Sequence, residues 1–179
     1  MSVAFKEWAV VCEAIGSGRQ SIILRKGGIA EGRDGFAFKH EKFFLFPTWF
    51  HEQLEKTILP LGTALPPQLN GEIEIRHAAV LEWSRLVTDL TLLPGLRSLH
   101  ILHDSVVNER FHYDATHGIH VGFVRGFRLA TPRCLPMQKN FGGCRSWLEL
   151  PDMGDLLLEP AISDAEHAAR KSALENLLA

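Results

Sequence analysis

Two stretches of the chain alternate apolar and polar residues at a period of two. Glu72 to Trp83 sets Ile73, Ile75, Ala79, Leu81 and Trp83 on one face, which predicts a long, half-buried strand that is bent or bulged. Gly118 to Leu129 does the same with Ile119, Val121, Phe123, Phe127 and Leu129, and it places Arg125 on that apolar face. Shorter β-rich runs, Glu7 to Ala14 and Gln20 to Arg25, flank Gly16-Ser17-Gly18 and predict an N-terminal hairpin. Phe43 to Phe46 reads as a buried strand stopped by Pro47. Thr48 then stands where it could cap a helix running to about Ile58. The segment Leu59 to Gly71, with three prolines and two glycines, predicts a loop. The leucine-rich Asp89 to His103 is broken by Pro94-Gly95 and predicts two short helical pieces, and a last strand is expected around Ser146 to Leu150. Ser163-Asp164-Ala165-Glu166 is a capping box opening a helix that continues to the end.

Strands outnumber helices and do not alternate with them, so the predicted class is α+β: a curved, mainly antiparallel sheet or partly closed β-barrel with a few short flanking helices and a C-terminal helix. Residues 1–151 are expected to form a single α+β domain and residues 152–179 an acidic C-terminal tail with a helix from about 164. At 179 residues, 46% hydrophobic and 22% charged, the composition is that of a globular protein able to bury a sizeable core without disulfides or metals.

The formal charge of −2 gives no general warrant for nucleic-acid binding, but its distribution is uneven. Residues 149–179 carry −5, which leaves +3 for residues 1–148. A locally basic surface is thus expected, and an acidic tail folded over it would weaken anion binding.

Cys12, Cys134 and Cys144 are odd in number and include no C-x-x-C pair, so a disulfide framework and a four-thiolate zinc site are not readable, and a cytoplasmic setting is expected. No apolar run approaches the about 20 residues that span a bilayer, so no membrane partner is expected. Dinucleotide and phosphate-loop glycine motifs are absent, as is the serine nucleophile elbow. His51-Glu52-Gln53-Leu54-Glu55 begins like a zinc-protease helix but has a glutamate where the second ligand should stand. His100/His103 and His117/His120 each pair imidazoles three apart, but no further ligands can be placed, so neither a metal nor a cofactor is expected.

Several polar positions could carry chemistry. Arg125 on an apolar face must find carboxylate, phosphate or carbonyl partners, unless a bulge at Gly122 or Gly126 turns it back to solvent. Arg25-Lys26 closes a strand before the glycine-rich Gly27 to Gly35, where cations and backbone N–H groups could approach an anion together. His51 falls in the first turn of the expected helix, where anions are favoured. Cys144 follows two glycines and precedes Arg145, an arrangement that could expose a thiol beside a cation.

Glu7-Trp8-Ala9-Val10-Val11, Arg25-Lys26-Gly27-Gly28-Ile29, Phe44-Leu45-Phe46-Pro47-Thr48 with His51, His100-Ile101, Arg125 with Arg128-Leu129, and Gly143-Cys144-Arg145-Ser146-Trp147 occur in this order. The set resembles an uncharacterised prokaryotic family of unknown function, DUF1802, over about residues 4 to 151. Departures are Glu52 before Gln53, and Leu102 where a tryptophan is expected after His100-Ile101. Some members carry a restriction-endonuclease-like domain, and the resemblance therefore implies a role in restriction or defence against foreign DNA.

The leading expectation is a nucleic-acid-associated binding module. In it Arg25, Lys26, Thr48, Trp49, His51, His100, Arg125 and Arg128 line a groove that binds DNA or RNA, with a separate nuclease or other protein as partner. The rival expectation is a small hydrolase or nuclease-like enzyme with His51 or His100 as general base and an arginine stabilising negative charge. A third is a protein–protein accessory factor.

Overall fold

The computed structural model describes residues 2–26, 36–113, 117–143 and 145–179. The predicted glycine-rich loop at residues 27–35 and the Cys144 thiol lie outside them. Seven strands form one curved, open sheet: β1 (Ser2–Trp8), β2 (Ile22–Arg25), β3 (Lys42–Thr48), β4 (Glu72–Val87), β5 (Ile119–Pro136), β6 (Trp147–Leu150) and β7 (Leu158–Pro160). The order is β2-β5-β4-β3-β1-β6, with β7 also pairing β5. All pairs are antiparallel except β1 with β3. The helices are α1 (Ala9–Gly16), α2 (Asp104–Phe111) and α3 (Asp164–Leu177), and a 3₁₀ segment covers Leu90–Leu99. The class is therefore the predicted α+β, with a C-terminal helix.

The N-terminal hairpin is corrected. β1 runs straight into α1, and β2 pairs with β5 rather than with β1. Every residue of α1 except Glu13 is buried, so the segment has no polar face and its periodicity cannot separate helix from strand. The helix expected after Thr48 is also replaced, by turns over residues 51–56. Thr48 Oγ1 donates to the Glu7 carbonyl at 3.0 Å instead of capping, tying the end of β3 to β1. Pro47 does not stop β3, because pairing with β4 ends at Phe44 and the missing N–H is not needed there.

The two long strands form as patterned and pair along most of their length, with register shifts at Ile75/His77 and Leu81/Trp83. Neither shift falls on Gly122 or Gly126. Those glycines serve close approach: a Cβ on Gly126 would lie 2.4 Å from the Ile15 carbonyl oxygen, and one on Gly122 would lie 2.5 Å from Phe38. The 3₁₀ segment runs unbroken through Pro94, in place of the two short pieces expected there, and is capped by Asp89, whose carboxylate accepts the Thr91 N–H at 2.9 Å.

The main core packs Phe5, Ile15, Ile22, Leu96, Ile119 and Phe123 together with Leu174 and Leu178 of the C-terminal segment. Ser163 caps α3 through the Glu166 N–H, as its sequence predicts. Glu82 on β4 holds the helix from outside, 2.6 Å from His167 Nε2 and 2.8 Å from Lys171 Nζ. Leu174→Ala should therefore cost about 2–5 kcal/mol in urea denaturation, the range for emptying a buried leucine site. A surface helix packed loosely on the sheet would lose well under 1 kcal/mol. Removing residues 152–179 would strip Leu174 and Leu178 from the core, so uncovering the basic surface calls for charge-neutralising substitutions rather than truncation.

Candidate functional site

β1 and β3 are parallel and end side by side at Trp8 and Thr48, while β2 ends nearby at Arg25. α2 brings Arg110 to the same place, and Ser146 precedes β6 there. These ends surround the Glu7 carboxylate, whose side chain is 1% exposed. Its Oε1 accepts the Trp8 N–H at 3.0 Å and lies 3.9 Å from Arg110 Nη2, and its Oε2 lies 3.5 Å from Arg25 Nη1. No described residue hydrogen-bonds Oε2. A buried carboxylate is tolerable only with such opposite charge beside it.

Both guanidiniums are oriented by other contacts. Arg25 Nη2 donates to Ser146 Oγ at 3.2 Å and the group lies over the Phe5 ring; Arg110 Nη1 donates to the Leu24 carbonyl at 2.6 Å and the group lies over the Trp8 ring at 4.7 Å. Trp8 in turn packs edge-to-face on Phe50 at 4.8 Å. Burial pulls the Arg110 guanidinium below its ordinary value, Glu7 opposes that shift and Arg25 adds to it, yet an arginine remains charged. One carboxylate between two guanidiniums leaves a net charge of +1 beside two half-buried aromatic rings. The arrangement can present fixed N–H donors to an anion and an aromatic face to a planar group.

Lys6 supports this geometry from β1, its Nζ donating to the carbonyls of Gly142 and Gly143 ahead of Ser146. Cys12 Sγ donates to the Glu7 carbonyl at 3.7 Å; burial pushes the thiol well up, and Glu7 and Glu13 add to the shift, so it packs as a neutral group.

The residues predicted for the site fall in several places. Arg25 and Thr48 meet at Glu7, and Lys26 follows Arg25 directly. Trp49 lies on another surface beside Cys12, Glu13 and His77, with its ring N–H on the Pro66 carbonyl. His51 stands exposed in a turn. His100 is buried, its Nδ1 accepting the Leu102 N–H at 3.1 Å. Arg125 pairs with the Asp164 carboxylate, one of the partners its position allows, and Arg128 lies 3.9 Å from Glu159, so acids of the C-terminal segment do reach these two cations. His103 is the N-cap of α2, His117 packs on His112, and His120 packs on Phe36. Among the described residues, no three metal-ligating side chains converge and no helix is long and apolar enough to cross a membrane.

Sequence reasoning passed over Glu7, Arg110, Trp8, Phe50 and Ser146 as site residues. An acid directly after Ala4-Phe5-Lys6 in a strand is a signal that could have found Glu7. Arg110, within Asn108-Glu109-Arg110-Phe111, carries none.

The fold is shared with crystal structures of the ASCH protein of Zymomonas mobilis. That protein itself aligns over 97% of this chain and 94% of its own, with a TM-score of 0.51 and 14% identity. A serine-to-alanine variant of it gives 0.52 and 14% over 97% and 95%, and a tyrosine-to-phenylalanine variant 0.50 and 15% over 97% of each chain. No curated protein matches the chain. The chain belongs to the family described as domain of unknown function DUF1802, which matches residues 4–173. The match reaches beyond the quoted motifs into α3.

Proposed function

We propose that the protein is a nucleic-acid-associated binding module whose phosphate contact is the Arg25–Glu7–Arg110 cluster. The observation that carries this reading is the convergence of two anchored guanidiniums on one buried carboxylate, next to Trp8 and Phe50. The carboxylate fixes the guanidiniums, the surplus positive charge suits a phosphate, and the rings suit a base. Family membership and the fold held in common with the ASCH protein agree with such a module. A role in restriction or defence, with a separate nuclease acting on the same nucleic acid, is the setting that the family resemblance implies. His100 is held neutral down to about pH 4 by burial, with Arg97 adding to the shift, which makes it a weak proton acceptor and a poor general base.

Titrating the full chain with short single- and double-stranded DNA and RNA across a salt series tests the proposal. Affinity should fall linearly with log salt at a slope of about −1 to −2, and Arg25→Gln should weaken binding about tenfold and flatten the slope by about 1. Absence of binding at low salt to all four, or affinity indifferent to salt, overturns it.

A further inference from the structure

Between the 3₁₀ segment and α2, the helix that also carries Arg110, lies an open pocket of about 210 Å³. Leu90, Leu93, Pro94 and Val107 make its walls, and His100, Asp104 and Asn108 line it with polar groups. His100 is 3% exposed. Its Nδ1 accepts the Leu102 N–H, so the proton of the neutral ring sits on Nε2, and no described residue takes a hydrogen bond from that atom. The pocket is open to solvent at Leu90, Pro94, Asp104 and Asn108, so water can meet that N–H, and a ligand acceptor there would take the place of water.

The remaining polar groups restrict what such a ligand can be. Asp104 Oδ1 lies 3.3 Å from Arg97 Nε, leaving Oδ2 as an acceptor, and the Asn108 side-chain amide is engaged by no described residue. A ligand anion would meet Asp104, whose charge Arg97 balances from beside the pocket, so the site offers no surplus charge of either sign. A neutral ligand can accept from His100 and donate to Asp104 or Asn108 along one edge while its body lies against leucine, proline and valine. The volume is below the about 300–1,000 Å³ of drug-sized sites and leaves room for one small ring system.

We infer that this cavity binds a neutral planar heterocycle with an acceptor and a donor on one edge, the chemistry of a nucleobase, its edge read by His100, Asp104 and Asn108. The base could belong to a free nucleoside or be unstacked from a strand. Only the second source rests on the nucleic-acid reading given above.

The experiment is an NMR titration of the ¹⁵N-labelled full chain with adenosine, guanosine, cytidine and uridine, and separately with a short single-stranded RNA and DNA. At least one nucleoside should saturably shift the His100 ring and Asn108 side-chain amide signals, with a Kd of about 1 mM or tighter. Asn108→Leu should weaken that binding about tenfold. Leu90→Trp, at a half-exposed position of the cavity wall, should fill the space and abolish it without touching the buried His100. Silence from all four nucleosides at about 10 mM, or shifts that survive Leu90→Trp, overturns the inference. If the oligonucleotides move the same signals at lower base concentration than the nucleosides do, the source is a strand; if only nucleosides move them, it is the free molecule. The uncharged nucleosides need no anion site, so their binding stands or falls separately from the salt-dependent affinity of the arginine cluster.

Discussion

Arg110→Met should be among the most destabilising single substitutions in this protein, with a loss of about 3–5 kcal/mol in urea denaturation at neutral pH. The side chain is 15% exposed, and its removal takes away the Leu24 hydrogen bond, the contact with Trp8 and one of two cations beside a carboxylate that is 1% exposed. Methionine roughly fills the volume, so the loss reads as uncompensated charge rather than as a cavity. Glu7→Gln made in the Arg110→Met background should recover part of it, because the buried charge disappears with its partner. A double-mutant cycle should return a coupling of about 0.5–3 kcal/mol between Glu7 and Arg110. A single-variant loss below about 1 kcal/mol would show instead that solvent reaches the carboxylate and that the cluster is a surface ion pair.

The second large effect is acid sensitivity centred on His100. Burial lowers its pKa from 6.5 to about 4, with Arg97 and Arg110 pushing the same way and Asp104 opposing. Between those values the unfolded chain binds a proton that the folded protein refuses. The contribution of this group is therefore full above about pH 6.5 and is lost as pH falls toward 4, by about 3 kcal/mol in all. His100→Asn, whose side-chain oxygen can accept the Leu102 N–H in place of Nδ1, should be less stable at neutral pH but show a flatter stability profile from about pH 6.5 to 4.5. An imidazole signal for His100 that titrates near its ordinary value would refute the account.

The strands β4 and β5 were legible because one face of each is apolar at period two, and α3 because Ser163 and Glu166 are a capping pair read locally. The helix α1 was not, because Ala9 to Ile15 is apolar on nearly all sides and its identity is decided by what surrounds it. Thr48 shows the same limit: its hydroxyl could cap a helix or bond a neighbouring strand, and only the parallel register with β1 selects Glu7. Of the site, Arg25 could be read from its place at a strand end. Arg110 could not, because its partner Glu7 lies 103 residues away and neither local pattern announces the other. For Arg125 the pattern leaves carboxylate, phosphate, carbonyl and solvent open, and Asp164 is identified only once the C-terminal segment is placed.

The position of β1 has a consequence in time. Of the seven strands it leaves the ribosome before the others, yet it pairs with residues 44–48 on one side and 147–150 on the other. Its second edge stays unpaired until most of the chain has been synthesised, which at about 5–20 residues per second leaves an apolar strand waiting for seconds. Ala4 and Phe5, fully buried in the finished sheet, are the residues so exposed. Closure by β6 is a pairing of very high contact order and so belongs to the slow end of folding, and because Ser146 arrives with β6, the arginine cluster is completed in the same late event.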